Sequence, residues 1–238
     1  MRSPIRLSRR RGVLIGWPVA AGLVAAWILP LVGFVYLTRQ NAQLVGFVQE
    51  QESQIERQKA NIDHLMERLR ILEAVEDLQT TLAPDEETHL AREVYEQSRR
   101  HGIDPFLLLA MIHVESEFGA RRVSAAGACG LMQLKPSTGR AVAMQLGWTW
   151  PGDERLFEPA FNVTLATTYL SDLLTRCGSV EKALAAYNWG EHAVRTRLAA
   201  GLPMQRIYAG NVLAVYHWLQ RRYSSGSPNS SAGSVDPA

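Results

Sequence analysis

The most constraining feature of the sequence is a run of 25 residues, from Val13 to Leu37, that contains no charged side chain. As an α-helix the run is about 37 Å long, which is enough to cross a bilayer with some tilt. A cleaved signal peptide is the alternative, but its apolar part is shorter and ends in small residues at a cleavage site. This run ends in Phe-Val-Tyr-Leu, followed by Thr-Arg, and has no such site there. The sequence therefore favours an uncleaved transmembrane helix over residues 13–37.

Positive charge is distributed unevenly around this run. Arg39 follows it, whereas five arginines precede it: Arg2, Arg6, Arg9, Arg10 and Arg11. Because basic residues stay on the cytoplasmic side, residues 1–12 are predicted to be cytoplasmic. The chain would cross the membrane once, and the residues after the span would lie on its outer side. The net charge of the whole chain is only +2. This balance gives no reason to expect nucleic acid as a partner.

Residues 40–78 are polar and have the pattern of a helical stalk. Val48, Ile55, Ile62 and Leu69 recur every seven residues, and Leu65 and Leu72 occupy the intermediate position. Heptads of this kind predict a coiled coil, which would make the chain a homodimer. A single amphipathic helix that packs against the following domain is the alternative.

The remainder of the chain is predicted to be mainly α-helical. Pro84, Pro105 and Pro136 stand at starts of apolar helical patterns, and Gly102 and Gly178 stand at ends. No segment alternates as a strand for long, and at most a small hairpin is expected within residues 127–133. We assign residues 82–223 to one helical domain. Residues 224–238 are rich in Ser, Gly and Pro and are expected to be disordered.

Glu115 is the most informative residue of this domain. Asp104-Pro105 starts a helix on which Leu108, Met111 and Ile112 share one face with Glu115. Apolar neighbours and the negative end of the helix dipole both raise the pKa of a carboxyl group, which suits a general acid. Glu117 lies on another face. The alternative is a structural ion pair between Glu115 and Arg121 or Arg122.

The residues after Glu115 carry a resemblance to a known family. Glu115-Ser116 is followed by Ser124, by Gly-Ala-Cys-Gly-Leu-Met-Gln over residues 127–133, and by Pro136. This pattern resembles the catalytic motif of the soluble lytic transglycosylase (SLT) family, goose-lysozyme-like enzymes that cut peptidoglycan. Ala-Tyr-Asn-Trp-Gly at residues 186–190 and the later Tyr208 are similar to further motifs of that family. The resemblance implies a lysozyme-like catalytic domain that faces the periplasm from the inner membrane.

The resemblance also implies the site and its chemistry. Glu115 would protonate the glycosidic oxygen between MurNAc and GlcNAc, and then take a proton from the C6 hydroxyl as a 1,6-anhydro ring closes. Substrate-binding roles would fall to a further set of residues: Ser124, Gln133, Tyr187, Asn188 and Tyr208. Where many members have Met this chain has Lys135, which puts the detail of the subsites in question. A hydrolytic muramidase and a non-catalytic glycan-binding scaffold are the alternatives.

Neither a cofactor nor a metal ion is expected from the sequence. The two cysteines, Cys129 and Cys177, have no CxxC spacing and no cluster of histidines nearby. If this part of the chain is exported, they are able to form a disulfide. Two free thiols are the alternative, and the spacing alone does not separate the two.

Overall fold

The computed structural model describes residues 17–78, 82–203 and 207–223. Their helices are α1 (Trp17–Asp77), α2 (Pro84–His101), α3 (Pro105–Ser116), α4 (Pro136–Gln145), a 3₁₀ helix (Asp153–Phe157), α5 (Pro159–Cys177), α6 (Val180–Trp189), α7 (Glu191–Ala199) and α8 (Ile207–Tyr223). The prediction of a mainly α-helical fold is confirmed. The predicted cytoplasmic segment 1–12 and the predicted tail 224–238 lie outside the described residues.

The predicted transmembrane helix falls at the edge of the described region. Its first residues, 13–16, are not described, and α1 begins at Trp17. Within the part of the chain that the structure describes, no helix combines the length and the apolar character that crossing a membrane requires.

The chain divides into two compact units, Met1–Ile62 and Asp63–Ala238. In the first unit, the heptad residues Val48, Ile55 and Ile62 are each about half exposed, at 52%, 49% and 56%. They form an apolar stripe along the part of α1 that follows the uncharged run. The coiled-coil dimer through this stripe stays a prediction.

The second unit includes the last turns of α1. Ile71, Ala74 and Val75 are fully buried and belong to the same hydrophobic core as α3. At the end of α1, Arg222 Nε lies 2.5 Å from Asp77 Oδ2, and the Tyr223 hydroxyl donates to the Glu73 carbonyl at 3.2 Å. The compact unit therefore starts at Asp63, within the segment 40–78 that the sequence assigned to the stalk. Heptad spacing does not reveal this, because it does not say whether an apolar residue packs against a second chain or against its own domain.

Helix α3 forms the centre of the second unit. Every residue from Phe106 to Ile112 is buried, because this helix is apolar on all sides and other helices surround it. It packs against α2 and α8, and α5 packs against α2 and α6. As predicted, Asp104 caps α3: its side chain accepts a hydrogen bond from the Phe106 N–H at 2.9 Å. The other Asp104 oxygen accepts from Tyr216 and from Gln220 of α8 at 3.0 and 3.1 Å, two of the many contacts between α8 and α3.

The segment between α3 and α4 is a tight loop. The short hairpin expected within residues 127–133 is reduced to an isolated antiparallel bridge between Cys129 and Leu134. A second isolated bridge joins Cys129 to Val123. Cys129 therefore pairs with a residue on each side of it, so the loop reverses its direction twice.

Candidate active site

Glu115 lies in the last turn of α3, where its carboxyl group meets the first turn of α8. The Tyr208 hydroxyl of α8 donates a hydrogen bond to Glu115 Oε1 at 2.6 Å. Burial raises the pKa of Glu115 to about 7, and the bond from Tyr208 opposes this rise because it stabilises the carboxylate. With such a pKa, the carboxyl group is protonated in a large fraction of the molecules near neutral pH. It is therefore suited to give and retake a proton.

The hydroxyl that contacts Glu115 stays protonated. Burial is the main cause that raises the pKa of Tyr208 well above its ordinary value, and the negative charge of Glu115 adds to it. Tyr208 therefore acts as a hydrogen-bond donor throughout the working pH range. It holds the carboxyl group in one orientation, toward the cleft described below.

The ion-pair alternative for Glu115 does not match the structure. Arg122 Nη1 instead lies 3.7 Å from Glu117 Oε1, and both side chains are exposed. Glu117 itself follows the end of α3 in a left-handed conformation, with φ of 51°. The two glutamates thus have different environments: Glu115 is partly buried against Tyr208, whereas Glu117 points to solvent.

Hydrogen bonds from side chains to backbone carbonyls hold the loop after α3 (residues 117–134, here called the motif loop) against the end of that helix. The Ser116 hydroxyl, which is buried, donates to the Leu131 carbonyl at 2.7 Å. The Tyr187 hydroxyl of α6 donates to the neighbouring Met132 carbonyl at 2.9 Å. Burial, and then the charge of Glu115, raise the pKa of Tyr187 well above its ordinary value, so this donor also stays protonated.

Asn162 of α5 attaches this loop through both ends of its side-chain amide. Its side chain is fully buried, accepts from the Met132 N–H at 2.8 Å, and donates to the carbonyls of Cys129 and Leu156 at 2.9 Å each. Gly130 passes directly over this amide with φ of +79°. A Cβ atom there would lie 2.2 Å from the Leu156 carbonyl oxygen and 2.4 Å from Asn162 Nδ2, so only glycine fits.

Glu115 opens into a cleft of about 340 Å³. Its lining comes from the motif loop, the start of α4, and helices α5 and α6: Glu115, Ser124, Ala126, Ala128, Gln133, Leu134, Lys135, Thr138, Tyr169, Tyr187, Asn188, Trp189 and Gly190. Among these described residues Glu115 is the only carboxylate. The rings of Tyr169 and Tyr187 lie 5.5 Å apart and give the cleft an aromatic wall.

The structure places all six predicted site residues around this cleft. Glu115, Ser124, Gln133, Tyr187 and Asn188 line it directly. Tyr208 reaches it through its bond to Glu115. Two of the predicted binding residues also have structural contacts: the Ser124 hydroxyl accepts from the Ala128 N–H at 3.0 Å, and Gln133 Nε2 donates to the Gly130 carbonyl at 2.9 Å.

Sequence reasoning did not assign several residues of the site. Asn162 and Tyr169 both stand on α5, and nothing local in the sequence indicated which side chains of this helix face the motif loop or the cleft. Trp189 directly follows Tyr187 and Asn188 in the sequence, and this position was the available signal that it also lines the cleft. Thr138 lies two residues after Pro136, in the first turn of α4, and carried no signal of its own.

Neither cysteine lines the cleft. Cys129 is buried, and both it and Cys177 are free thiols in the structure. Among the described residues, no group of three or more His, Cys, Asp or Glu side chains is arranged to hold a metal ion.

Comparison with known proteins agrees with this geometry. Residues 93–201 match the family model of the transglycosylase SLT domain. The endo-type membrane-bound lytic murein transglycosylase A of Klebsiella pneumoniae is 46% identical over 74 residues, which are 30% of this chain and 36% of that protein. The membrane-bound lytic murein transglycosylase C of Cronobacter sakazakii is 32% identical over 179 residues, 68% of this chain and 49% of that protein. The chain therefore spans less than half the length of each of these two curated relatives.

A solved structure supports the fold. The 70 kDa soluble lytic transglycosylase SLT70 of Escherichia coli superposes with a TM-score of 0.52 at 24% identity, over 63% of this chain and 28% of that one. The residues matched by the family model include Glu115 and most of the cleft around it. The comparisons identify residues 93–201 as a transglycosylase SLT domain.

Proposed function

We propose that this protein is a membrane-anchored lytic transglycosylase that cleaves the β-1,4 bond between MurNAc and GlcNAc in peptidoglycan and leaves a 1,6-anhydroMurNAc end. One observation carries the proposal. Glu115 is the only carboxylate among the described cleft residues, and burial raises its pKa to about 7. Most glycosidases need two carboxylates, one as acid and one as base or nucleophile. A cleft with a single carboxyl group favours a reaction in which that group has both roles.

The proposed cycle uses Glu115 twice. In its neutral form it donates a proton to the glycosidic oxygen as the bond to C1 breaks, and the acetamido group of the substrate stabilises the cationic centre. The resulting carboxylate then accepts the proton of the C6 hydroxyl, whose oxygen closes on C1. Glu115 regains its proton and no water is consumed. Because the attacking hydroxyl belongs to the same sugar, the proximity advantage is large.

Tyr208 would support both halves of this cycle. Its hydroxyl donates to Glu115 Oε1 and stabilises the carboxylate formed after the first proton transfer. The other carboxyl oxygen would then be available to the substrate. Ser124, Gln133, Tyr187 and Asn188 line the cleft on the sides where the sugar rings would lie.

Analysis of the products tests this proposal directly. Purified sacculi digested with the protein should release muropeptides that carry 1,6-anhydro ends, which mass spectrometry separates from reducing ends by the mass of one water. Reducing ends would instead support a hydrolytic muramidase. Binding to sacculi without any release would support a glycan-binding scaffold.

Changing Tyr208 to Phe should move the pH dependence of the reaction. The Tyr208 bond lowers the pKa of Glu115, so its loss should raise that pKa above about 7. Since the free enzyme needs protonated Glu115, wild-type kcat/KM should fall above about pH 7, and in Tyr208→Phe this fall should begin at higher pH. The maximal rate should drop by about tenfold, because the carboxylate is less stabilised. Anhydromuropeptide release measured from pH 5 to pH 9 checks both effects.

Tyr216→Phe is the matched control for this change. It removes a hydroxyl from the same helix, but that hydroxyl donates to Asp104 and not to Glu115. Its pH profile should therefore coincide with that of the wild type. A shifted profile in Tyr216→Phe, or an unshifted one in Tyr208→Phe, would contradict the role given to the Tyr208 bond.

We further propose that residues 13–37 anchor the chain once in the inner membrane, with residues 1–12 in the cytoplasm. The uncharged run and the five preceding arginines support this topology, and the two curated relatives described above are named as membrane-bound. A homodimer through the heptad residues Val48, Ile55, Ile62 and Leu69 is part of the same proposal, because their seven-residue spacing is typical of a coiled coil.

A reporter fusion tests the topology. An enzyme that is active only in the cytoplasm, fused after Ala238, should be inactive, whereas one that is active only in the periplasm should be active. Cytoplasmic activity of the first fusion would reverse the topology and separate the cleft from its substrate.

A further inference from the structure

Lys135 is the only cationic side chain among the described residues that line the Glu115 cleft. It stands between the motif loop and α4, directly before Pro136. Its side chain is exposed, and among the described residues no carboxylate lies within 4.0 Å of its ammonium group. The cleft that contains the proposed acid thus also presents one positive charge without an ion-pair partner among the described residues.

Neither the fold nor the acid accounts for this lysine. Lys135 occupies the N-cap position of α4, where Ser, Thr, Asp and Asn are preferred, and its side chain makes no capping bond. The shifted pKa of Glu115 is set by burial and by the Tyr208 bond, and Lys135 contributes to neither. A residue that departs from the local preference without a compensating contact is often retained for function.

The chemistry of the proposed substrate supplies a partner. Its sugar rings are neutral, so the negative charges of a glycan strand lie on the lactyl substituent of the muramyl residue. This substituent either ends in a free carboxylate or carries a peptide with carboxylates of its own. A lysine at the edge of a narrow cleft attracts such groups and holds them by a charge-assisted hydrogen bond.

We propose that Lys135 binds a carboxylate of the lactyl-linked substituent, and so makes the cleft selective for strands that carry a negative charge beside the scissile bond. This inference rests on the proposed function, since it takes a peptidoglycan strand as the ligand of the cleft. Lys135 would be a residue that determines specificity, while Glu115 performs the chemistry.

The test compares Lys135→Met with the wild type on charged and neutralised substrates. Soluble uncrosslinked strands are used as isolated and after chemical conversion of their carboxylates to amides. On the unmodified strands Lys135→Met should raise KM by about 3- to 10-fold with little change in kcat. This rise in KM lies between the effect of losing an exposed ion pair and that of losing a charge-assisted hydrogen bond. On the amidated strands the two proteins should have nearly equal KM.

Two further variants separate charge recognition from a structural effect. Lys135→Arg keeps the positive charge and should restore most of the wild-type KM. Lys182→Met removes the same charge from an exposed position on α6 that does not line the cleft, and should keep the wild-type KM. The difference between wild type and Lys135→Met should also shrink as salt rises, because salt screens the ion pair.

Two forms of the strand identify the source of the carboxylate. Strands that keep their peptides present peptide carboxylates, and strands stripped of peptide by an amidase present the lactyl carboxylate. An effect of Lys135→Met confined to one of them assigns the partner. Equal effects on charged and amidated strands, or no effect on either, would overturn the proposal.

A binding measurement keeps this test independent of turnover. Glu115→Gln and Glu115→Gln with Lys135→Met are compared for binding to the same charged and amidated strands. If the double variant has a higher Kd than Glu115→Gln for charged strands but not for amidated strands, the role of Lys135 is supported even if the proposed reaction is wrong. Equal Kd values overturn that role even if anhydro products are found.

Discussion

Glu115→Gln should lower the release of anhydromuropeptides by at least about 10²- to 10⁴-fold, the range typical of a lost general acid–base group. Glutamine keeps the shape of the side chain, and its carbonyl oxygen still accepts the Tyr208 hydrogen bond that Glu115 accepts at 2.6 Å. It has no proton to give at an accessible pKa and cannot take one back. Both proton transfers of the proposed cycle are therefore lost, while the cleft stays intact. The measurement is product release from sacculi by mass spectrometry.

Glu117→Gln is the matched control for this experiment. Glu117 is two residues away, exposed, and paired only with exposed Arg122 at 3.7 Å, a contact that contributes little in water. This variant should keep nearly the wild-type rate. Strand binding should survive in both variants, because the groove residues are unchanged. Similar losses in the two would refute the assignment of the acid to the buried face of α3, and full activity of Glu115→Gln would leave only the scaffold.

Much of the helical framework was predictable because its signals are local. Asp104 and Pro105 specify the start of α3, and Gly102 and Gly178 adopt left-handed conformations after α2 and α5, as their positions in the sequence indicated. The environment of Glu115 was also predictable in direction. A carboxylate in the next slot of an apolar stripe is desolvated in any fold that buries the stripe, and burial is the main cause of its raised pKa.

Contacts between distant segments were not predictable in the same way. Nothing local to Tyr208 indicates that its hydroxyl meets a residue 93 positions earlier, and only the family resemblance pointed to it. The packing of Ile71 and Val75 against the core of the second unit depends on which face of α1 meets the domain, whereas heptad spacing defines only a stripe. Gln133 has φ of 47°, a conformation that its residue type does not favour, because its amide closes the turn onto Gly130.

The attachment of the motif loop to Asn162 leads to the second large effect. Gly130→Ala should lower the free energy of unfolding by about 3 to 5 kcal/mol, near the upper end of what single substitutions do. The left-handed φ of +79° accounts for about 1–2 kcal/mol of this cost. The remainder comes from a Cβ atom placed 2.2 Å from the Leu156 carbonyl oxygen and 2.4 Å from Asn162 Nδ2, which forces the buried amide away from its partners. Urea unfolding of the full chain in detergent, followed by tryptophan fluorescence, measures the loss.

Gly127→Ala separates the two causes, because Gly127 lies in the same loop with a similar φ of +74° and has no atom within 4 Å of an added Cβ. It should lose only the conformational part, about 1–2 kcal/mol. If the two variants lost the same free energy of unfolding, the Asn162 attachment would not be what holds the loop.

If Gly130→Ala alone shows the larger loss of stability, anhydromuropeptide release should fall with it even where the protein remains folded. Gly130 precedes Leu131 and Met132, whose carbonyls accept from Ser116 and Tyr187, so moving it displaces the loop from the helix that carries Glu115.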